Sequence, residues 1–195
     1  MKPYFLLITL FFSIQAFGTD FVKIHAPTAE SFSCTEHWEG QFNNYVGDAL
    51  GTDCVVQDFY QSGERLFNRP FKNNGHKNTD WYGFGKNVLA PCDCIVESVH
   101  INNVTNKPGI MTPGRAGSVV FKKVDGTLIV IAHVDNVNVA MGNSVKSGDV
   151  VATIGNNGYS RNPHLHIAAW KDKQPLQIRF DQKTIDLKFR EESGE

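Results

Sequence analysis

The chain has 195 residues, which suffices for one domain with a substantial hydrophobic core and is too short for two domains of ordinary size. Its 19 basic and 20 acidic residues leave a formal net charge of −1. There is no run of Lys and Arg and no interleaving of basic with aromatic residues, so the composition argues against nucleic acid as a partner. Small molecules, peptides and cell-wall polymers are all compatible with this charge.

Residues 1–18 have the features of a secretory signal peptide. A short positive start precedes a mostly apolar run from Tyr4 to Ile14, and small residues occupy positions 16 and 18. The apolar run is shorter than the roughly 20 residues that a membrane-spanning helix needs, although an uncleaved anchor is the alternative. We therefore predict cleavage near Thr19, export to the periplasm or the extracellular space, and no membrane partner after cleavage.

Residues 19–69 show a mixed pattern that predicts a partly helical extension packed on the main domain. Four apolar residues in this segment recur at roughly helical spacing and predict one short amphipathic helix: Trp38, Phe42, Tyr45 and Val46. Gly47 and Gly51 end this pattern, and the run Cys54 to Val56 is typical of an extended segment.

The chain contains four cysteines, Cys34, Cys54, Cys92 and Cys94, and an exported protein with an even number favours disulfides. Three connectivities are possible. Pairing Cys34 with Cys54 leaves Cys92 and Cys94 to each other in a small, strained ring, so crossed pairing is at least as compatible with the sequence. A four-cysteine zinc site is disfavoured because paired Cys-x-x-Cys motifs are absent.

The sequence becomes β-like after Gly75, and residues 70–185 are predicted to form the main domain. Short β-branched runs alternate with turn signals: Cys94 to Val99, Ser118 to Lys123, Thr127 to Ala132, Val150 to Ile154, Leu165 to Trp170 and the closing run Pro175 to Phe180. Asp125-Gly126 between two apolar runs predicts a hairpin. We therefore predict a mostly β fold with a single antiparallel sheet, followed by a charged tail over residues 186–195.

The run from Asn162 to Ile167 contains a His-x-His pair. Side chains alternate along a strand, so His164 and His166 are expected to face the same space. Two such imidazoles repel each other when both are charged, and a divalent metal removes this conflict because histidine binds metal as the neutral imidazole.

Three further residues join this pair as candidates: His76 and Asp80, four positions apart, and His133 at the end of an apolar strand. Three nitrogen or oxygen ligands with one open position are typical of catalytic zinc, which lowers the pKa of bound water to about 7. A further neutral histidine then serves as general base or stabilises the oxyanion. Spacing alone does not decide which of His164 and His166 binds the metal. His25, His37 and His100 lie outside this pattern and are predicted to be ordinary surface or packing residues.

The order His-x-x-x-Asp, strand-ending His and His-x-His resembles that of the lysostaphin-type zinc metallopeptidases, bacterial endopeptidases of peptidoglycan cross-links. The framing segments are similar too: Val88–Pro91, Ala132–Val134, Val145–Val151 and Gly155–Gly158. The resemblance implies a lysostaphin-like fold and one Zn²⁺ ion with His76, Asp80 and His166 as ligands. It also implies that His133 and His164 are the catalytic pair and that peptidoglycan peptides are the substrate.

Two departures from the family pattern lie near the predicted site. Asn78 stands where the family usually has Gly between the first His and Asp, and Cys94 follows Asp93 where the family has Gly. A disulfide from Cys92 or Cys94 to the N-terminal extension would tie that extension to the wall of the cleft.

Two alternative functions stay compatible with the sequence. The first is a non-catalytic relative that binds wall peptide or regulates an enzyme, although such relatives typically lose ligands and all five positions are filled here. The second is a zinc peptidase that acts on proteins. The sequence indicates neither an oligomeric state nor the amide bond that is cut.

Overall fold

The computed structural model describes residues 20–37 and 45–185. The predicted signal peptide, the charged tail and most of the predicted N-terminal helix, with Trp38 and Phe42, lie outside these residues. In the part of the chain that is described, no helix is long and apolar enough to cross a membrane.

The described residues form β-strands and short 3-10 turns. The strands are β1 Phe21–Ile24, β2 Phe32–Glu36, β3 Thr52–Val56, β4 Asp58–Ser62, β5 Arg65–Arg69, β6 Asn87–Leu89, β7 Cys94–His100, β8 Ser118–Lys122, β9 Leu128–Ala132, β10 Val134–Asp135, β11 Ser144–Val145, β12 Val150–Ile154, β13 Leu165–Lys171 and β14 Gln174–Phe180. The 3-10 turns are Asp48–Leu50, Asn78–Asp80 and Gln182–Thr184. The mostly β prediction is confirmed, and each predicted run after Gly75 contains a strand.

The prediction of a single antiparallel sheet is correct only in part. A nine-stranded sheet has the order β1-β14-β13-β9-β8-β7-β11, and β3 also pairs with β13 while β2 pairs with β3. β10, β12 and β6 form a second sheet, and β4 with β5 forms a separate hairpin. Within the large sheet β1 runs parallel to β14. This pairing is possible because the two strands are far apart in sequence, so that no tight turn forces them to be antiparallel.

The predicted partly helical extension is wrong for the residues that the structure describes. Between positions 20 and 69, the described segments contain five strands and one three-residue 3-10 turn, and β1, β2 and β3 belong to the large sheet. Tyr45 and Val46, two residues of the expected apolar stripe, are exposed. The alternating burial of Thr52–Val56 against β13 provides the core contact instead, so tertiary pairing outweighs the local helical spacing.

The core lies along the central strands of the large sheet. Ile129 and Ile131 of β9 alternate with less buried neighbours, and they pack with Phe121 of β8 and Ile167 of β13, all fully buried. Burial of each such side chain stabilises the fold by roughly 1.5–3 kcal/mol. The hairpin predicted at Asp125-Gly126 connects β8 to β9. The core therefore holds β13 rigidly between its neighbours.

Both disulfides are local. Cys34 bonds to Cys54, and Cys92 bonds to Cys94. The crossed pairing is therefore wrong, as is the proposed tie between the extension and Cys92 or Cys94. Cys34 and Cys54 are directly opposed in the antiparallel register of β2 and β3, so this bond joins the two strands of one hairpin at the middle of their pairing.

Candidate active site

The first half of β13 places His166 between two neighbouring strands. Its antiparallel register sets His166 opposite Ala132 of β9 on one side and opposite Asp53 of β3 on the other. The two residues that flank His166 in sequence are buried in the core. Strand alternation therefore directs His166 to the other face, which it shares with His164. The structure thus gathers the His-x-His pair as the sequence predicts.

His133 immediately follows β9 and lies against this pair. Its ring centroid is 4.5 Å from that of His164 and 6.2 Å from that of His166. Its backbone has a φ of 63°, a left-handed conformation that non-glycine residues rarely adopt and that is frequent at functional sites. The backbone carbonyl of His133 accepts a hydrogen bond of 2.8 Å from the Gly155 amide, which holds this turn in place.

Hydrogen bonds fix the tautomers of His133 and His164. Nδ1 of His133 donates to the backbone oxygen of Asn157 at 2.8 Å, and Nδ1 of His164 donates to that of Asn162 at 2.8 Å. Because a carbonyl only accepts, each Nδ1 carries the proton and each neutral ring keeps a lone pair on Nε2. Nε2 of His164 lies 3.7 Å from Oδ1 of Asp53.

The electrostatic surroundings keep these two histidines neutral. Burial, with a smaller contribution from His164, lowers the pKa of His133 to about 3. Burial also lowers the pKa of His164, although the negative charge of Asp53 opposes the shift. Both imidazoles are therefore proton acceptors near neutral pH.

His166 differs because it lies between two carboxylates. Its Nδ1 donates to Oδ1 of Asp53 at 3.0 Å, and its Nε2 donates to Oδ1 of Asp48 at 3.1 Å. Burial disfavours its charge, yet these hydrogen bonds raise the pKa of His166 to about 9. Burial also acts to raise the pKa of Asp53, but the hydrogen bond from His166 and the nearby histidines hold it well below its usual value.

His37, at the end of β2, completes the cluster. Its Nδ1 donates to the backbone oxygen of Asp48 at 2.8 Å, and its Nε2 lies 3.4 Å from Oδ2 of Asp53. One ligand atom each from His37, Asp53 and His166 lies within 4.8 Å of the others. Two imidazoles and a carboxylate are a donor set that zinc accepts. His37, predicted to be an ordinary residue, is therefore part of the site.

His76 and Asp80 lie outside this cluster. The Asp80 carboxylate accepts hydrogen bonds from Nδ2 of Asn73 at 2.9 Å and from the backbone amide of Lys77 at 3.2 Å, and it thereby caps the turn Asn78–Asp80. The hydrogen bond from Asn73 is the main reason why the pKa of Asp80 is lowered. His76 is exposed. Among the described residues, the group able to hold a metal includes neither of them.

Asn78, which replaces the glycine of the family pattern, joins this turn to the loop behind His133 and His164. Its Nδ2 donates to the backbone oxygen of Asn106 at 2.7 Å, and its Oδ1 accepts from Nδ2 of Asn156 at 2.8 Å. Asn156 and Asn157 are fully buried. Asn157 binds His133 through its backbone oxygen and the backbone amide of Gly117 through Oδ1. Asn78 thus anchors the loop that orients His133.

The sequence from residue 74 to residue 178 matches the profile of peptidase family M23, and this span is more than half of the chain. The chain belongs to peptidase family M23. The resemblance to the lysostaphin-type metallopeptidases is thereby confirmed, and M23 proteins are generally zinc metallopeptidases that act on peptidoglycan. No curated protein sequence matches the chain.

Several solved structures are similar to this chain in fold. The complex of SpoIIIAH and SpoIIQ matches with a TM-score of 0.50 and 18% identity over 79% of this chain and 96% of that one. A mutant catalytic domain of the prophage-encoded M23 protein EnpA from Enterococcus faecalis matches with a TM-score of 0.48 and 19% identity, over 75% of this chain and 88% of that one. Pseudoalterin, an M23 metalloprotease from the deep sea, matches with a TM-score of 0.46 and 11% identity, over 80% of this chain and 75% of that one. At these identities, the likeness concerns the fold alone.

The M23 match covers all five residues predicted from the sequence, but it begins after His37 and Asp53. The structure brings His133, His164 and His166 together and leaves His76 and Asp80 apart from them. The roles of these five residues stay predictions. Asp48, Asp53 and His37 had no sequence motif to mark them; the Cys34–Cys54 pair was the one signal that their hairpin is ordered.

Proposed function

We propose that this M23 protein is an exported zinc-dependent endopeptidase that hydrolyses amide bonds in peptidoglycan peptides. The observation that carries the proposal is the placement of two neutral histidines, His133 and His164, beside a cluster of imidazole and carboxylate groups with zinc-ligand chemistry. M23 membership supports the substrate class.

His133 and His164 have complementary tasks in this proposal. Each holds its proton on Nδ1 through a backbone carbonyl, so Nε2 is the atom that accepts a proton from the attacking water. Once protonated, the same Nε2 donates either to the leaving amine or to the developing oxyanion. Bound zinc would supply Lewis acidity and lower the pKa of the attacking water.

Export is part of the proposal. The features of residues 1–18 support it, and so do the two disulfides, since such bonds persist in oxidising compartments outside the cytosol. The periplasm and the extracellular space both meet this condition.

The test combines zinc analysis with mass spectrometry of muropeptides released from purified peptidoglycan. We expect the wild type to bind one zinc ion and to release peptides cut at an amide bond, and His166→Ala to lose both properties. His100→Gln, a histidine at the end of β7, is the matched control and should keep both. Undiminished hydrolysis by His166→Ala, or by the protein stripped of zinc, would contradict the proposal.

The same peptidoglycan assay distinguishes this function from two alternative functions. A wall-binding or regulatory relative would bind peptidoglycan or a partner protein without releasing muropeptides, and the SpoIIIAH–SpoIIQ structure is a complex between two proteins. A peptidase acting on proteins would cleave casein in preference to peptidoglycan.

A further inference from the structure

We propose that the metal ion of this protein is held by His37, Asp53 and His166, so that the β2–β3 hairpin takes the place of the His76–Asp80 segment in the metal centre. The inference rests on the proposed function in one respect, namely that the ion serves the same hydrolytic site. It assigns two ligands that precede the M23 match.

The β2–β3 hairpin has a fixed position beside His166. β3 pairs with β13 so that Asp53 lies directly opposite His166, and cross-strand neighbours on one face are in contact range. The Cys34–Cys54 bond joins β2 to β3 one residue away from Asp53. His37 follows β2, and its backbone amide donates to the Gly51 oxygen at 2.8 Å. The two hairpin ligands are thus held by backbone pairing.

The ring nitrogens of His37 and His166 are oriented by two neighbouring aspartates. Asp48 accepts from both histidines, from Nδ1 of His37 through its backbone oxygen and from Nε2 of His166 through its carboxylate. The other ring nitrogen of each histidine faces the Asp53 carboxylate. Nε2 of His37 lies 3.4 Å from Oδ2, and Nδ1 of His166 lies 3.0 Å from Oδ1. Metal-bound histidines usually donate their second nitrogen to a carboxylate or a backbone carbonyl. Asp48 provides both kinds of acceptor, and it is therefore a positioning residue.

The family-like segment from His76 to Asp80 has other partners. The two carboxylate oxygens of Asp80 accept hydrogen bonds from Nδ2 of Asn73 and from the backbone amide of Lys77, and Asn78 joins the same turn to Asn106 and Asn156. Moving Asp80 to His166 would break these bonds. By contrast, Asp53 already lies 3.7 Å from Nε2 of His164, so an ion bound by the hairpin is next to the catalytic pair.

The experiment compares matched conservative variants of the full chain with its disulfides formed. Zinc per chain is measured by elemental analysis after dialysis, and zinc affinity by chelator competition. We expect His37→Gln and Asp53→Asn to weaken zinc binding more than about 100-fold, since outer partners alone usually contribute 10- to 100-fold. Asp48→Asn should fall within that 10- to 100-fold range. His76→Gln and Asp80→Asn are the controls and should keep wild-type affinity.

Circular dichroism and thermal unfolding in chelator verify that each variant is folded. If Asp53→Asn unfolds, the zinc affinity of His37→Gln, which leaves the β3–β13 pairing intact, tests the ligand set by itself. The cobalt-substituted protein provides an independent readout, because the visible spectrum of Co²⁺ should change in His37→Gln and stay unchanged in His76→Gln.

The outcomes separate the two proposals. Full zinc affinity in His37→Gln and Asp53→Asn, with loss in His76→Gln and Asp80→Asn, overturns this ligand set and leaves the hydrolase intact. Zinc bound through His37 and Asp53 without muropeptide release overturns the hydrolase and leaves the ligand set intact. A wild type that binds no zinc overturns both.

Discussion

Removing the Cys34–Cys54 disulfide tests whether the β2–β3 hairpin must be held in place for the site to exist. The bond closes a loop with a sequence separation of 20. In the chain-entropy treatment, opening a loop of this length lowers the free energy of unfolding by about 3 kcal/mol at 25 °C. Because β3 carries Asp53 beside His166, we expect the variant Cys34→Ala/Cys54→Ala to lose zinc affinity as well as stability.

The matched control is Cys92→Ala/Cys94→Ala, which removes a disulfide with a sequence separation of 2. The same treatment gives a loss of only about 1 kcal/mol for so short a loop, and this bond is not part of the hairpin. Urea unfolding and chelator competition on both variants provide the two readouts. The reasoning is refuted if both pairs lower stability equally, or if the hairpin variant keeps the zinc affinity of the wild type.

Three other predictions concern His133, a glycine in the loop beside it, and His166. His133→Ala should keep bound zinc and lose about 10²- to 10³-fold in kcat on peptidoglycan, as removal of one oxyanion donor does; equal activity would disprove the role. Gly158→Ala would place a Cβ 2.6 Å from the backbone Cα of Ala116 at a position whose φ is 63°, so we expect urea unfolding to show a loss of about 1–3 kcal/mol in the free energy of unfolding, and an unchanged midpoint would contradict it. In zinc-free protein, burial opposes the charge of His166, yet its carboxylate partners raise the pKa to about 9. Its stabilising effect should therefore be complete below the ordinary value of 6.5 and disappear as the pH rises through about 9. Unfolding midpoints measured across this pH range would show this loss of stability in the wild type, and His166→Gln should lack it.

The β-strands after position 75 could be predicted because their signals are local. The runs around Val119 and Ile129 are rich in β-branched residues and bounded by turn residues, and Asp125-Gly126 marks the hairpin between them directly. The helix predicted over Trp38, Phe42, Tyr45 and Val46 is not seen in the part of the chain that the structure describes, where Tyr45 and Val46 are exposed. The nearby strand β3 is held instead by a partner strand more than a hundred residues away.

The residues of the site also fall into a group that the sequence marks and a group that it does not. His133, His164 and His166 belong to short motifs that can be recognised in the sequence, and the fold brings them together. Asp53 meets His166 across a separation of 113 residues, and His37 reaches it through Asp48 and the hairpin. No local pattern encodes such a contact, because it arises from strand pairing and from the Cys34–Cys54 bond.

The parallel pairing of β1 with β14 has a consequence for the order of folding. It joins Phe21 to Gln177, so the edge of the large sheet cannot close until nearly all of the described chain is available. Contacts between such distant segments slow folding, because a long loop must close before the pairing stabilises it. During synthesis β1 therefore has to wait for its partner, and deleting β14 would leave an unpaired edge that favours aggregation.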